Sequence, residues 1–192
     1  MTGAQPSDQE LIHQARDGDD GAFRMLVDRY ESQVAATVVG MLGQGPDAED
    51  VGQETFIRFH AALDKFRGES ALGTYLTRIA INLSLNVSKS RRGSSWRFWS
   101  LDKEDDPAPA PTTDGRATQE QADTSAGVQA ALQMLKPEHR AVVVLRMIKE
   151  YSTRETAEML GTREGTVLSR LSRGMSSLRT ILQGRGLAYE GE

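Results

Sequence analysis

The sequence contains no cysteine. Disulfide scaffolds and thiolate metal sites are therefore excluded. No apolar run approaches the roughly 18 residues that a membrane-spanning helix needs, and the opening MTGAQPSDQE is polar rather than signal-like. The expectation is a soluble, cytoplasmic protein with no membrane insertion. Histidine is scarce: His13, His60 and His139 are scattered, with no companion ligands, and no glycine-rich loop follows a strand. Such a chain offers no catalytic residues, no metal ligands and no cofactor cradle, so an enzyme is not expected. Period-two alternation is also missing, which leaves strands without a signal.

What is present is charge, unevenly distributed. The formal net charge of -4 argues against a polyanionic partner, but the average conceals a sign change. Residues 1–66 sum to -7, residues 67–92 to +4, residues 93–125 to -4 and residues 126–192 to +3. Segregation of this kind points to two sorts of partner, one that meets an acidic face and one that is a polyanion.

Apolar residues recur at helical spacing almost throughout. Ser7 and Glu10 have capping-box spacing ahead of Leu11 and Ile12, and GDDG at 18–21 ends that short helix. Phe23, Leu26, Val27, Tyr30, Val34 and Val38 mark a second helix, closed by GQGP at 43–46. Pro46 and Asp47 open a third, with Phe56, Phe59, Leu63 and Phe66 as its apolar positions. A fourth runs from about Ala71 to Lys89 and turns Leu72, Leu76, Ile79, Leu83 and Val87 inward. From 93 to 125 the periodicity vanishes, and DKEDDPAPAPTTDG reads as a flexible, acidic linker. Trp96, Phe98 and Trp99 stand at its start, as packing residues or as a docking peptide. Helices resume with Val128, Leu132 and Leu135, then Pro137 opens one carrying Val142, Leu145 and Ile148. Ser152 and Glu155 repeat the capping-box spacing, a short helix reaches Leu160, and a long one carries Val167, Leu171, Leu178 and Leu182. The predicted fold is all-α: helical domains over 7–92 and 126–184, joined by a linker over 93–125.

Three constellations carry chemistry. Ala157, Gly161 and Val167 have the spacing of a helix-turn-helix, in which a small residue permits close approach, glycine takes the left-handed turn and a branched residue anchors the second helix. Anchoring Val167 and Leu171 turns Arg163, Thr166, Arg170 and Arg173 outward, a basic stripe suited to a major groove. On the fourth helix, Tyr75, Arg78, Asn82, Asn86 and Lys89 lie opposite the apolar face, followed by Arg91 and Arg92. An aromatic ring, amides and cations in one row suit unpaired DNA, and they equally suit a solvated face. The third helix exposes Asp50, Gln53, Glu54 and Arg58 beside Asp47. This acidic face repels DNA and suits a protein partner, although acids at a helix start also complement the dipole.

The run from Asp47 to Asn86, DAEDVGQETFIRFHAALDKFRGESALGTYLTRIAINLSLN, resembles the core-binding and minus-ten-recognition regions of extracytoplasmic-function (group 4) RNA polymerase sigma factors. The run from Met134 to Gly174, MLKPEHRAVVVLRMIKEYSTRETAEMLGTREGTVLSRLSRG, resembles their minus-thirty-five-recognition module. The resemblance implies that the first domain is sigma region 2, a helical bundle, and that the second is the sigma region 4 helix-turn-helix. It implies that Asp47, Asp50, Gln53, Glu54 and Arg58 dock on the clamp helices of the largest subunit of core polymerase. It places Asn82, with Arg78 and Asn86, where the family captures a flipped base of the minus-ten element, and Arg163, Thr166, Ser169, Arg170 and Arg173 toward the minus-thirty-five element of promoter DNA. An anti-sigma partner follows from the resemblance alone. The chain departs from the family at Gly52, where an apolar residue is usual, at Tyr75, where tryptophan is, and at Gly73, Leu168 and Met175, positions often basic in relatives. The residues by themselves leave open a stand-alone DNA-binding regulator and a protein that merely holds another factor.

Overall fold

In a computed structural model of the chain, residues 5–98 and 119–185 are described, with side chains over 5–90 and 125–185. Eight α-helices follow in order: α1 (Asp8–Arg16), α2 (Asp20–Leu42), α3 (Pro46–Ala61), α4 (Leu72–Phe98), α5 (Gln119–Met134), α6 (Pro137–Val143), α7 (Thr153–Leu160) and α8 (Glu164–Gly184). A 3-10 turn, Leu63–Lys65, follows α3, and a π-turn, Val144–Ile148, follows α6. Among the described residues there is no strand, and no helix is long and apolar enough to cross a membrane.

Local chemistry sets the boundaries. The Ser7 backbone donates to the Glu10 carboxylate at 2.7 Å, and these bonds hold that carboxyl below its usual range. Asp19 caps α2 by accepting from the Gly21 amide at 2.8 Å, and Gly43 ends it. Pro46 takes the first position of α3, where its missing amide proton costs nothing. Two long-range ties close the bundle: Arg29 and the Tyr30 hydroxyl both donate to the Asp8 carboxylate, and Arg16 Nε donates to the Leu63 carbonyl at 3.0 Å. Burial, with the Asp8 carboxylate adding, pushes the Tyr30 phenol up to about 12.

The core of α1–α4 centres on Phe59, which is wholly buried and lies 5.8 Å from Phe23, 6.0 Å from Phe66 and 6.2 Å from Tyr75 between ring centroids. Buried hydroxyls complete the packing. Thr37, Thr55, Thr77 and Ser84 donate to the carbonyl four residues back at 2.7–2.8 Å, so each is satisfied by its own helix. The second module packs α5, α6 and α7 around α8, with Val142, Ala157 and Val167 as one apolar knot and Leu132, Leu135 and Val143 as another. The modules also share a core, because Ala141, Val144, Leu145 and Met159 join the cluster that holds Leu26, Val38 and Ile81.

Several sequence expectations are revised. The fourth helix runs to Phe98 rather than Lys89, and α5 begins at Gln119, so the aperiodic stretch expected over 93–125 is helical at both ends. The extension holds no proline to stop the helix. Trp96 and Phe98 fall in the last turns of α4, but their side chains and the whole of Trp99 lie outside the described residues, and the docking role with them. The helix expected to carry Ile148 inward stops at Val143. The Lys149 amide bonds the Val144 carbonyl at 2.9 Å, and this wider turn buries Val144 and Leu145 while exposing Met147 and Ile148. Val128 is likewise exposed.

Gly52 sits mid-helix in α3 with nothing within 4 Å of where a Cβ would stand. Gly52→Ala will therefore stabilise the protein by up to about 1 kcal/mol. A urea titration with unchanged slope and a raised midpoint is the expected result, and a lowered midpoint contradicts it.

Candidate nucleic-acid interface and docking face

The helix-turn-helix is assembled from three local devices. A second capping box, with the Ser152 amide donating to the Glu155 carboxylate at 2.8 Å, starts α7. Gly161 then adopts φ 59°, ψ 40°, a left-handed turn that only glycine enters without strain, and the Thr162 amide closes it on the Ala157 carbonyl at 2.9 Å. Arg163 occupies the N-cap position of α8, without a side-chain capping bond, rather than lying within the helix. Buried Val167 fixes the rotation of α8 against Ala157 and Val142. With that rotation set, Arg163, Ser169 and Arg173 are exposed, and Thr166 and Arg170 are half-buried at the edge of the same face. The Ser169 hydroxyl donates to the Thr166 carbonyl at 3.0 Å. His139 of α6 lies half-buried beside α8. Burial lowers its pKa, Glu138 opposes the shift, and the charges of Lys136, Arg173 and Arg170 add to it, a sign of dense positive charge here. Leu168 and Met175 form an exposed apolar flank on the same helix.

On α4, Arg78, Asn82, Asn86 and Lys89 are all exposed and share one side of the helix. Tyr75 differs from the stacking platform expected of it. Its ring belongs to the aromatic core, 5.0 Å from Phe66, and the Arg78 guanidinium lies 5.7 Å over its centroid. The ring is half-buried, so it orients Arg78 and leaves little face for a base. The side chains of Arg91 and Arg92 lie outside the described residues.

On α3, Asp50 and Gln53 are exposed, and Asp47 and Glu54 are half-buried. Exposed Arg58 pairs with Glu54 at 2.7 Å, which neutralises one acid and leaves Asp50 as the more accessible negative charge. The sequence reading missed Ile57, 61% exposed and on the Asp50–Glu54 side of the helix. The signal was available: Ile57 is seven residues from Asp50 and three from Glu54, whereas the core positions are Val51, Thr55 and Phe59. Its neighbours Asp50, Gln53 and Arg58 are exposed polar residues, so Ile57 is a single apolar side chain within a polar face. The α3 and α4 faces thus lie on one bundle and the α8 face on the other module. Among the described residues no cluster of histidine or carboxylate side chains fits a metal.

Comparison with known proteins adds independent findings. The family model for sigma-70 region 2 matches residues 26–94, and that for sigma-70 region 4 matches residues 125–178. The RNA polymerase sigma-H factor of Pseudomonas aeruginosa is 32% identical over 184 residues, covering 93% of this chain and 95% of that protein. The ECF RNA polymerase sigma factor SigW of Bacillus subtilis is 32% identical over 184 residues, covering 91% and 96%. Among solved structures, CnrH in complex with the cytosolic domain of CnrY is similar with a TM-score of 0.64 and 26% identity, covering 93% of this chain and 99% of that one. The sigma factor RpoE of Bartonella quintana, in complex with the anti-sigma factor NepR, shares the fold at a TM-score of 0.61 and 23% identity, covering 84% and 96%.

Proposed function

We infer the division of labour among the three faces from one premise: the chain belongs to the extracytoplasmic-function sigma factors of the sigma-70 family, and it serves promoter-specific transcription initiation by RNA polymerase. The α3 face, with Asp47, Asp50, Gln53, Glu54 and Arg58 around Ile57, docks on the clamp helices of the largest polymerase subunit. The α4 face, with Arg78, Asn82, Asn86 and Lys89 and with Arg91 and Arg92 beyond, takes the opened minus-ten strand. The α8 face, with Arg163, Thr166, Ser169, Arg170 and Arg173, reads the minus-thirty-five duplex. Sigma region 2 occupies 7–92 and sigma region 4 occupies 126–184. The chain itself is non-catalytic and acts in the cytoplasm, where it positions polymerase and helps to open DNA through differential binding. An anti-sigma protein is a further partner on this reading, by analogy with the sigma complexes of the same fold.

The observation that carries this reading is the opposition of charge within one bundle. Asp50 and Gln53 line one helix, and Arg78, Asn82 and Lys89 line another. A protein that must hold polymerase with one face and DNA with the other needs that separation, because an acidic surface repels phosphate.

The test is reconstitution with bacterial core polymerase on promoters selected by the holoenzyme from a fragment library. Asn82→Ala will reduce strand opening, read by permanganate reactivity, by roughly tenfold or more, the size of a lost base contact. Closed-complex binding will change little, since Asn82 is exposed and faces only single-stranded DNA in this scheme. Equal loss at both steps would sink the base-capture role.

A further inference from the structure

What α8 buries divides its surface into faces. Val167 and Gly174 are buried, and Leu171 and Leu178 pack on the apolar knots beneath, so one row of the helix faces inward. Gly165, Leu168, Ser169 and Ser172 are all exposed, and at about 100° per residue they share roughly 100° of arc away from that row. Within this arc only Leu168, 54% exposed, carries a long side chain. The Ser169 hydroxyl is turned back on its own helix, donating to the Thr166 carbonyl. Gly165 has an ordinary φ, and nothing stands within 4 Å of where its Cβ would be, so neither the backbone nor the packing calls for glycine there. Bare backbone and short side chains let a large ligand come close to this arc, and Leu168 is then the group that reaches it first.

Exposed Arg163 and Arg173 frame the arc, so the ligand that fits is a polyanion with an apolar group on its edge. Duplex DNA shows one such group to a helix in its major groove, the C5-methyl of thymine. We propose that Leu168 determines specificity by packing on that methyl at one base pair of the upstream promoter element. The inference rests on the sigma reading of α8 and deepens it by naming a base. Guanine in that place would present O6 and N7, two acceptors that leucine cannot satisfy and whose water it would displace. Adenine and cytosine present amino groups there, with the same result. Leu168 belongs to neither apolar knot beneath α8, so truncating it tests reading without unfolding the module.

The test uses the full-length chain with core polymerase on promoters that the holoenzyme has selected. Each thymine of the upstream element is replaced in turn by uracil, which deletes the methyl and nothing else, and closed-complex affinity is read by fluorescence anisotropy. One thymine should respond with a loss of about fourfold, the free energy of one methyl group returned to water. Leu168→Ala should weaken binding to the thymine promoter by at least that factor and should bind the thymine and uracil forms equally, with circular dichroism unchanged. Leu168→Arg should exchange the preference at that same base pair, selecting guanine from a randomised element, because arginine donates to O6 and N7. The proposal is overturned if no thymine responds to uracil, if Leu168→Ala keeps the uracil penalty, or if Leu168→Arg selects the same base as wild type. If wild-type protein gives no core-dependent promoter binding, the sigma reading falls instead, and the same uracil comparison on duplexes selected by the chain alone decides the role of Leu168.

Discussion

Asp50→Arg will weaken co-elution with core polymerase by at least about 30-fold, or roughly 2 kcal/mol, the scale of placing a like charge at the centre of a contact. Asp50 is exposed and the Glu54–Arg58 pair beside it is untouched by the change, so folding should be unaffected. The same face gives an internal control. Ile57→Ala removes an exposed apolar side chain and should weaken binding equally at low and high salt, whereas the Asp50→Arg defect should shrink as salt rises. Elution profiles at two ionic strengths read both effects. Wild-type behaviour of Asp50→Arg at low salt would remove α3 from the docking surface and turn attention to a polymerase-independent DNA-binding protein.

Phe59→Ala will be the most damaging single core change, costing about 3–5 kcal/mol. A domain of this size commonly has only about 5–15 kcal/mol to lose. Phe59 is wholly buried and its ring contacts Phe23, Phe66 and Tyr75, so truncation leaves a void bounded by stiff rings that cannot collapse into it. The loss extends to the nucleic-acid face, because Tyr75 holds Arg78 from below. Urea unfolding and promoter opening should therefore fail together in Phe59→Ala, in contrast to Asn82→Ala, which leaves stability unchanged. A midpoint shift worth less than about 1 kcal/mol would mean that the core of α1–α4 does not depend on the Phe59 ring.

Element type was legible because the cues are local. Ser7–Glu10 and Ser152–Glu155 make capping boxes, Pro46 and Pro137 start helices, and Gly43 and Gly161 stop them, each through atoms within a few residues. The exposed rows on α3, α4 and α8 were legible for the same reason, since helical period alone orients them once the buried row is known. What failed was whatever depends on residues distant in sequence. Tyr75 appeared as an outward ring because nothing nearby reveals that Phe59 and Phe66 draw it into the core. Ile57 was overlooked because a lone apolar residue reads as core until its neighbours are placed. The π-turn after Val143 has no composition signal, and it alone turns Met147 and Ile148 outward. Arg140, a polar residue within an apolar run, declares its role only when the ends of α2 and α5 converge on it.

The buried hydroxyls decide what happens when helices part. Thr77 and Ser84 on α4 direct their protons to Gly73 and Ala80 of the same helix, as Thr37 does to Gln33 on α2. A donor satisfied in this way needs nothing from a neighbour and strands nothing when the neighbour leaves. Such a surface is re-wettable: water or another helix can take the place of the present one without orphaning a polar atom. At Thr77 the only bond that crosses to the second module is the one received from Tyr151, and a water molecule replaces it directly. Rows of small, self-satisfied hydroxyls thus let one face of α4 be covered and uncovered repeatedly at little cost in hydrogen bonding.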